Sequence, residues 1–155
     1  MADIKSPEQR SRNMARIRSK DTEPEIYIRK KLFAAGFRYR KNDPRIPGHP
    51  DIYLPMYRTA IFVHGCFWHR HEGCRYAYMP KSRTDYWEKK FQANKERDRK
   101  VLDVLTDKGF RVIVVWECCI RRMLHDRHEE TEMVKKITET ISAEKQENGE
   151  CYVFE

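Results

Sequence analysis

Residues 63–74 read VHGCFWHRHEGC, and these twelve positions hold three histidines, two cysteines and two large aromatics. Cys66, His71 and Cys74 stand in a C-x4-H-x2-C spacing. Thiolate and imidazole are the donors zinc prefers, and a closed structural site takes four of them in a tetrahedron. The fourth must come from elsewhere. WECC at 116–119 follows a long apolar run, and either Cys118 or Cys119 could turn back toward the loop; Cys118 is preferred. The alternative is a set of unligated thiols. Five cysteines are an odd number, which reads as ligands and free thiols rather than a disulfide set, and an iron–sulfur cluster is less suited.

A second set of groups suits hydrolysis. Asp51 follows Pro50 at the start of an expected strand, where a carboxylate can hold Mg²⁺ through oxygen. On local pattern alone it is more often a solvated turn residue. The strand ending FVHG can lie beside it and bring the Val63 carbonyl and His64 close. His69 is then a natural general base, because imidazole titrates near neutrality and can take a proton from water. Asp98, in NKERDRK, could orient that ring, and Glu25 is either part of an acidic pocket or a helix-capping carboxylate. A phosphodiester would suit these groups, with Mg²⁺ offsetting charge on the phosphate oxygens.

Phe67 and Trp68 separate Cys66 from His69, and Trp87 opens a later helix. Such rings are ordinarily core. Beside a metal loop, flat apolar rings could instead wedge between base pairs.

These groups need elements to hold them. Ser6-Pro7-Glu8 starts a basic helix at about 7–18, within an arm (1–20) carrying six basic side chains among Lys5, Arg10, Arg12, Arg16, Arg18 and Lys20. TEPE at 22–25 has the capping-box form, and a helix with Ile28, Leu32 and Ala35 on one face runs to Gly36. FRYR (37–40), DIYL (51–54) and TAIFVH (59–64) are expected strands, with a Pro- and Gly-rich loop at 42–50. Residues 65–83 lack periodicity and form the zinc loop. A long helix at about 85–107 buries Val101, Leu102, Val104 and Leu105; FRVIVVW (110–116) is a strand buried on both faces; a polar helix at 129–144 and an edge strand CYVF close the chain. The order αβββαβ predicts a mixed α/β domain over 1–155 with a central sheet flanked by helices.

Lys and Arg exceed Asp and Glu by 32 to 24, a formal charge of +8, which favours a polyanionic partner. No apolar run approaches the roughly 20 residues of a membrane span, and the start of the chain lacks a secretory core segment. A cytoplasmic protein without membrane contact is expected.

PGHPD, FVHGCFWHRH, NKERDRK and VIVVWEC, in this order, resemble the very-short-patch repair (Vsr) endonucleases from the amino-terminal arm to about residue 122. The resemblance implies a restriction-endonuclease-like core and the nicking of DNA 5′ to the T of a T:G mismatch left by 5-methylcytosine deamination. It implies Asp51 and the Val63 main chain as Mg²⁺ ligands, and His69 as general base supported by Asp98, with Glu25 and His64 nearby. It further implies Cys66, His71, Cys74 and Cys118 as zinc ligands, and Phe67, Trp68, Trp87, Met14 and Lys90 as contacts to the mismatched duplex. A monomer acting on double-stranded DNA, and meeting other mismatch-repair proteins, is expected. The (D/E)-x-K common in that fold is absent from the 58–64 strand, so the chemistry must rest on histidine. Two other readings stand beside this one: a zinc-stapled mismatch-binding module without catalysis, and a restriction endonuclease on perfect duplex.

Overall fold

The structure, a computed structural model, describes residues 6–16, 20–144 and 149–155, without the side chains of residues 10 and 14–16. Its helices are α1 (Pro7–Arg16), α2 (Glu23–Ala34), α3 (Thr84–Asp107), α4 (Glu117–His125) and α5 (Arg127–Ser142). Its strands are β1 (Ile52–Leu54), β2 (Thr59–His64), β3 (Arg111–Trp116) and β4 (Glu150–Phe154). They form one mixed sheet in the order β1-β2-β3-β4, antiparallel between the first two and parallel thereafter.

The period of two along β2 and β3 sorts their side chains onto two faces. Ile61, Val63, Ile113 and Val115 pack with Ile28 and Leu32 of α2, Ile120 and Met123 of α4, and Ile137 and Ile141 of α5. Ala60, Phe62 and Val112 turn the other way, onto Leu105 of α3, with Val101 and Leu102 partly buried beside them. Helices cover both faces, which is why these two strands read as continuous apolar runs. The β2–α3–β3 segment is the crossover that joins the two parallel strands.

Local signals set most boundaries. Ser6 and Gln9 form a reciprocal capping box at the start of α1. Gly36 (φ 96°) and Gly109 (φ 80°) take the left-handed conformation just past α2 and α3, where a side chain would be strained. Asp126 caps α5 by accepting from the His128 and Glu129 amides.

Four expectations need correction. FRYR is not a strand: Arg40 and Tyr53 make one isolated antiparallel bridge. Phe37 is drawn into the core beside Tyr57, and the chain then turns away through Asn42 at φ 46°. The order between α2 and α3 is therefore ββ, not βββ. Val104 is 40% exposed, because α3 rests on the sheet along Val101, Leu102 and Leu105 instead. Residues 117–125 form a helix that was not anticipated, with Cys119, Ile120 and Met123 buried on its inner face. Finally, Thr22 makes no side-chain cap; the Glu25 carboxylate accepts from the Asp21 amide at 2.8 Å.

Among the described residues no helix is long and apolar enough to cross a membrane.

Candidate active site

Strand register gathers the polar groups at one end of the sheet. His64 pairs with Trp116 in the parallel β2–β3 ladder, so Cys66 and Cys118, each two residues past a strand end, leave the sheet side by side. β1 runs the other way, and Asp51 immediately before it lies level with the end of β2. The carboxyl ends of parallel strands are where α/β folds commonly build sites.

Asp51 accepts a hydrogen bond from the Val63 amide at 2.7 Å. Burial, followed by the nearby Glu25 carboxylate, pushes its carboxyl up to about 7, while the Val63 amide, Arg29 and His69 pull in the opposite direction. Two neighbouring carboxylates withdrawn from water are oxygen donors of the kind a hard divalent cation takes. Arg29, buried on α2, was missed from the sequence. It donates to the Asp51 main-chain oxygen through Nη2 (3.0 Å) and Nε (3.3 Å) and pairs with Asp21 (2.6 Å) and Glu25 (3.3 Å). A guanidinium at helix position 29 looks solvated until the fold turns it inward.

After β2 the chain wraps tightly, with the His69 amide donating to the Gly65 carbonyl and the His71 amide to Cys66. This wrap points alternate histidines in different directions. His69 Nδ1 lies 2.6 Å from Asp98 Oδ2 on α3. The His64 ring stacks on it at 3.9 Å between centroids and 1° between planes. Burial, reinforced by the His69 charge, drops the His64 imidazole to about 3, so it is neutral at working pH. His64, His69 and Asp98 hold donor atoms within 4.8 Å of one another. Ring nitrogens bind along the ring plane, and two parallel planes do not converge on one ion. The trio therefore suits acid–base work better than metal.

His71 turns the other way. Its Nδ1 lies 3.6 Å from Cys66 Sγ and 3.4 Å from Cys118 Sγ, and the set with Cys74 spans at most 4.8 Å. Zinc bonds of about 2.3 Å to sulfur and 2.0 Å to nitrogen put tetrahedral donors roughly 3.5–3.8 Å apart, so the cluster fits. Burial pushes the Cys66 thiol up to about 12, and a bound cation would reverse that. Cys119 is buried among apolar side chains, which separates it from Cys118. Outside the cluster, His71 Nε2 lies 2.7 Å from Glu155 and its ring stacks on Trp116 at 4.2 Å.

Phe67, Trp68 and Trp87 do meet. Phe67 packs edge-on against Trp68 (5.1 Å), Trp87 (5.5 Å) and Phe91 (5.1 Å). Trp87, Phe91, Asn94 and Asp98 follow one another along one side of α3, and Asn94 donates to the Trp68 carbonyl at 3.0 Å. Arg70, at φ 55°, lays its guanidinium over Phe91 at 4.0 Å and donates to the Tyr78 carbonyl at 3.0 Å. The expected triplet is thus a half-buried cluster braced by Phe91, Asn94 and Arg70, which the local pattern did not reveal. Lys90 is half-buried on the same helix, and the Met14 side chain lies outside the described residues.

Residues 2–75 match the sequence model of the family described as DNA mismatch endonuclease Vsr. The chain is 46% identical over 141 residues to the type II nicking enzyme V.NmeAIP of Neisseria meningitidis, covering 91% of this chain and 100% of that one. It is 48% identical over 118 residues to the type II nicking enzyme V.XorIIP of Xanthomonas oryzae, covering 76% of this chain and 86% of that one. With the DNA mismatch endonuclease Vsr of Escherichia coli it shares 41% over 121 residues, covering 78% of this chain and 77% of that protein. Matched over most of its length and over the whole of one relative, the chain belongs to the Vsr family of DNA mismatch endonucleases.

Proposed function

We propose that this protein nicks one strand of duplex DNA 5′ to the T of a T:G mismatch, by Mg²⁺-dependent hydrolysis with His69 as general base. The observation that carries the reading is the 2.6 Å His69–Asp98 contact at the same sheet end as the raised carboxyl of Asp51. Binding of perfect or mismatched DNA requires neither. The relatives' names, nicking enzyme and mismatch endonuclease, support the strand-nicking part.

Asp98 accepts from Nδ1–H of His69, leaving the Nε2 lone pair free to take a proton from the attacking water. His64, neutral and stacked, limits rotation of that ring. Asp51 and the Val63 carbonyl would hold Mg²⁺, with Glu25 beside them. The ion would supply charge neutralisation for the phosphate oxygens. Cys66, His71, Cys74 and Cys118 would hold zinc, which would clamp the loop on which His69 is carried. Phe67, Trp68 and Trp87, with Met14 and Lys90, would meet the mismatched pair, and the basic arm would lie along phosphates. The protein is proposed to act in the cytoplasm as a monomer; contact with other mismatch-repair proteins is part of the same reading.

The test is a nicking assay on methylation-site duplexes differing only in T:G or T:A, with and without Mg²⁺, for the parent and Asp51→Ala. The parent should nick T:G only with Mg²⁺, and Asp51→Ala should not nick while keeping its zinc. Equal cleavage of T:A makes the protein a restriction enzyme; binding without cleavage makes it a recognition module.

A further inference from the structure

We propose that Glu155 is a positioning residue for the zinc ligand His71, so that β4 is part of the metal site. This rests on the zinc reading above. His71 has two ring nitrogens with different tasks. Nδ1 faces the sulfurs of Cys66 and Cys118, and Nε2 lies 2.7 Å from Glu155 Oε2. A neutral imidazole carries its proton on one nitrogen and a lone pair on the other. A carboxylate at Nε2 keeps the proton there and leaves the Nδ1 lone pair to the metal. Outer partners of this type orient a ligand and raise its basicity, and their loss weakens metal binding by about 10–100-fold.

Register explains how so distant a residue arrives. Phe154 pairs with Val115 in the parallel β3–β4 ladder, so Glu155 comes level with Trp116, on whose ring His71 is stacked. The other end of β4 is fastened independently. Arg111, buried at the start of β3, reaches Glu150 at 3.4 Å and the Thr140 and Ile141 carbonyls at 2.7 and 2.8 Å. β4 therefore docks without Glu155. The His71 side chain is only 11% exposed, while Glu155 is 62% exposed and, among the described residues, directs its carboxylate to His71, which is not how a strand anchor is placed.

The experiment measures zinc affinity of the full chain by competition with a chromophoric chelator, for the parent, Glu155→Ala and Glu155→Gln. Two further readouts are the ¹⁵N resonances of the His71 ring in the zinc-loaded chain and the melting temperature of the zinc-free chain. Glu155→Ala should weaken zinc by roughly 10–100-fold and speed exchange of the Nε2 proton. Glu155→Gln, whose amide oxygen still accepts from Nε2–H, should recover part of the loss, and zinc-free melting should be unchanged. A parent that binds no zinc sinks both this inference and the zinc reading. A parent that binds zinc no more tightly than Glu155→Ala sinks this inference alone. Equal losses in both variants, accompanied by lower zinc-free melting, would make Glu155 a strand anchor and overturn it as well.

Discussion

The imidazoles of His64 and His69 lie face to face, 3.9 Å apart and within 1° of parallel. One ring is buried in β2 and kept neutral; the other is partly exposed and bonded to Asp98 at 2.6 Å. The stack and the carboxylate together hold His69 in one orientation, and each can be removed separately.

Asp98→Asn preserves shape, but its amide can present N–H to Nδ1 and stabilise the tautomer with the proton on Nε2, which is no base. Single-turnover nicking should fall roughly 10²–10⁴-fold with melting temperature nearly unchanged. His64→Ala, which removes the stacking partner together with its packing on Trp116, should cost less. A full-rate Asp98→Asn variant removes His69 from the base role.

Asp51 and His64 oppose each other in the pH dependence of stability. The folded Asp51 carboxyl sits at about 7 against an ordinary 3.8. Its favourable contribution is complete below about 3.8 and is lost as pH rises through about 7. His64, depressed to about 3 from 6.5, contributes above 6.5 and loses that as pH falls toward 3. In Mg²⁺-free buffer, Asp51→Asn should therefore gain on the parent as pH is raised from 4 to 8. Mg²⁺ should raise the parent's melting temperature more at pH 8 than at pH 5. A parent–variant difference that is flat with pH refutes the assignment.

Cys118→Ser should release zinc and lower the melting temperature, while Cys119→Ser should keep full zinc and lose only packing. Metal content measured after gel filtration decides it. Zinc retained in Cys118→Ser means another residue supplies the fourth ligand.

Arg29→Gln strips two carboxylates and one carbonyl of a buried guanidinium. Breaking such a network costs about 3–5 kcal/mol in urea unfolding. Glu25→Gln in the same chain should recover part of it, because it removes a charge that Arg29 had balanced. No recovery would mean that Arg29 acts through Asp21 and the Asp51 carbonyl rather than through Glu25.

Trp68→Ala should weaken binding to T:G duplex by more than it lowers stability, since the ring is half-buried. A loss of about 3–5 kcal/mol in unfolding with unchanged DNA affinity would place Trp68 in the core instead.

Several features that depend only on neighbours in the chain are legible in the sequence. The C-x4-H-x2-C spacing, the apolar β-branched run of β3, the stop at Gly36 and the long α3 are local patterns governed by side-chain periodicity and backbone freedom. The expectation that His69 lies beside Asp98 and His71 beside the thiols matches where the two rings sit, while their roles remain part of the proposal. FRYR failed because strand propensity forms no strand without a partner, and the 41–50 loop carries the chain away after a single bridge. α4 was hidden because its buried face is only Cys119, Ile120 and Met123, too short a repeat to register. Arg29 at Asp51, Glu155 at His71, and the separation of Cys118 from Cys119 were decided only in three dimensions. Each depends on strand register or helix facing, and register is set by the whole buried pattern of β1 to β4 rather than by any residue at the site.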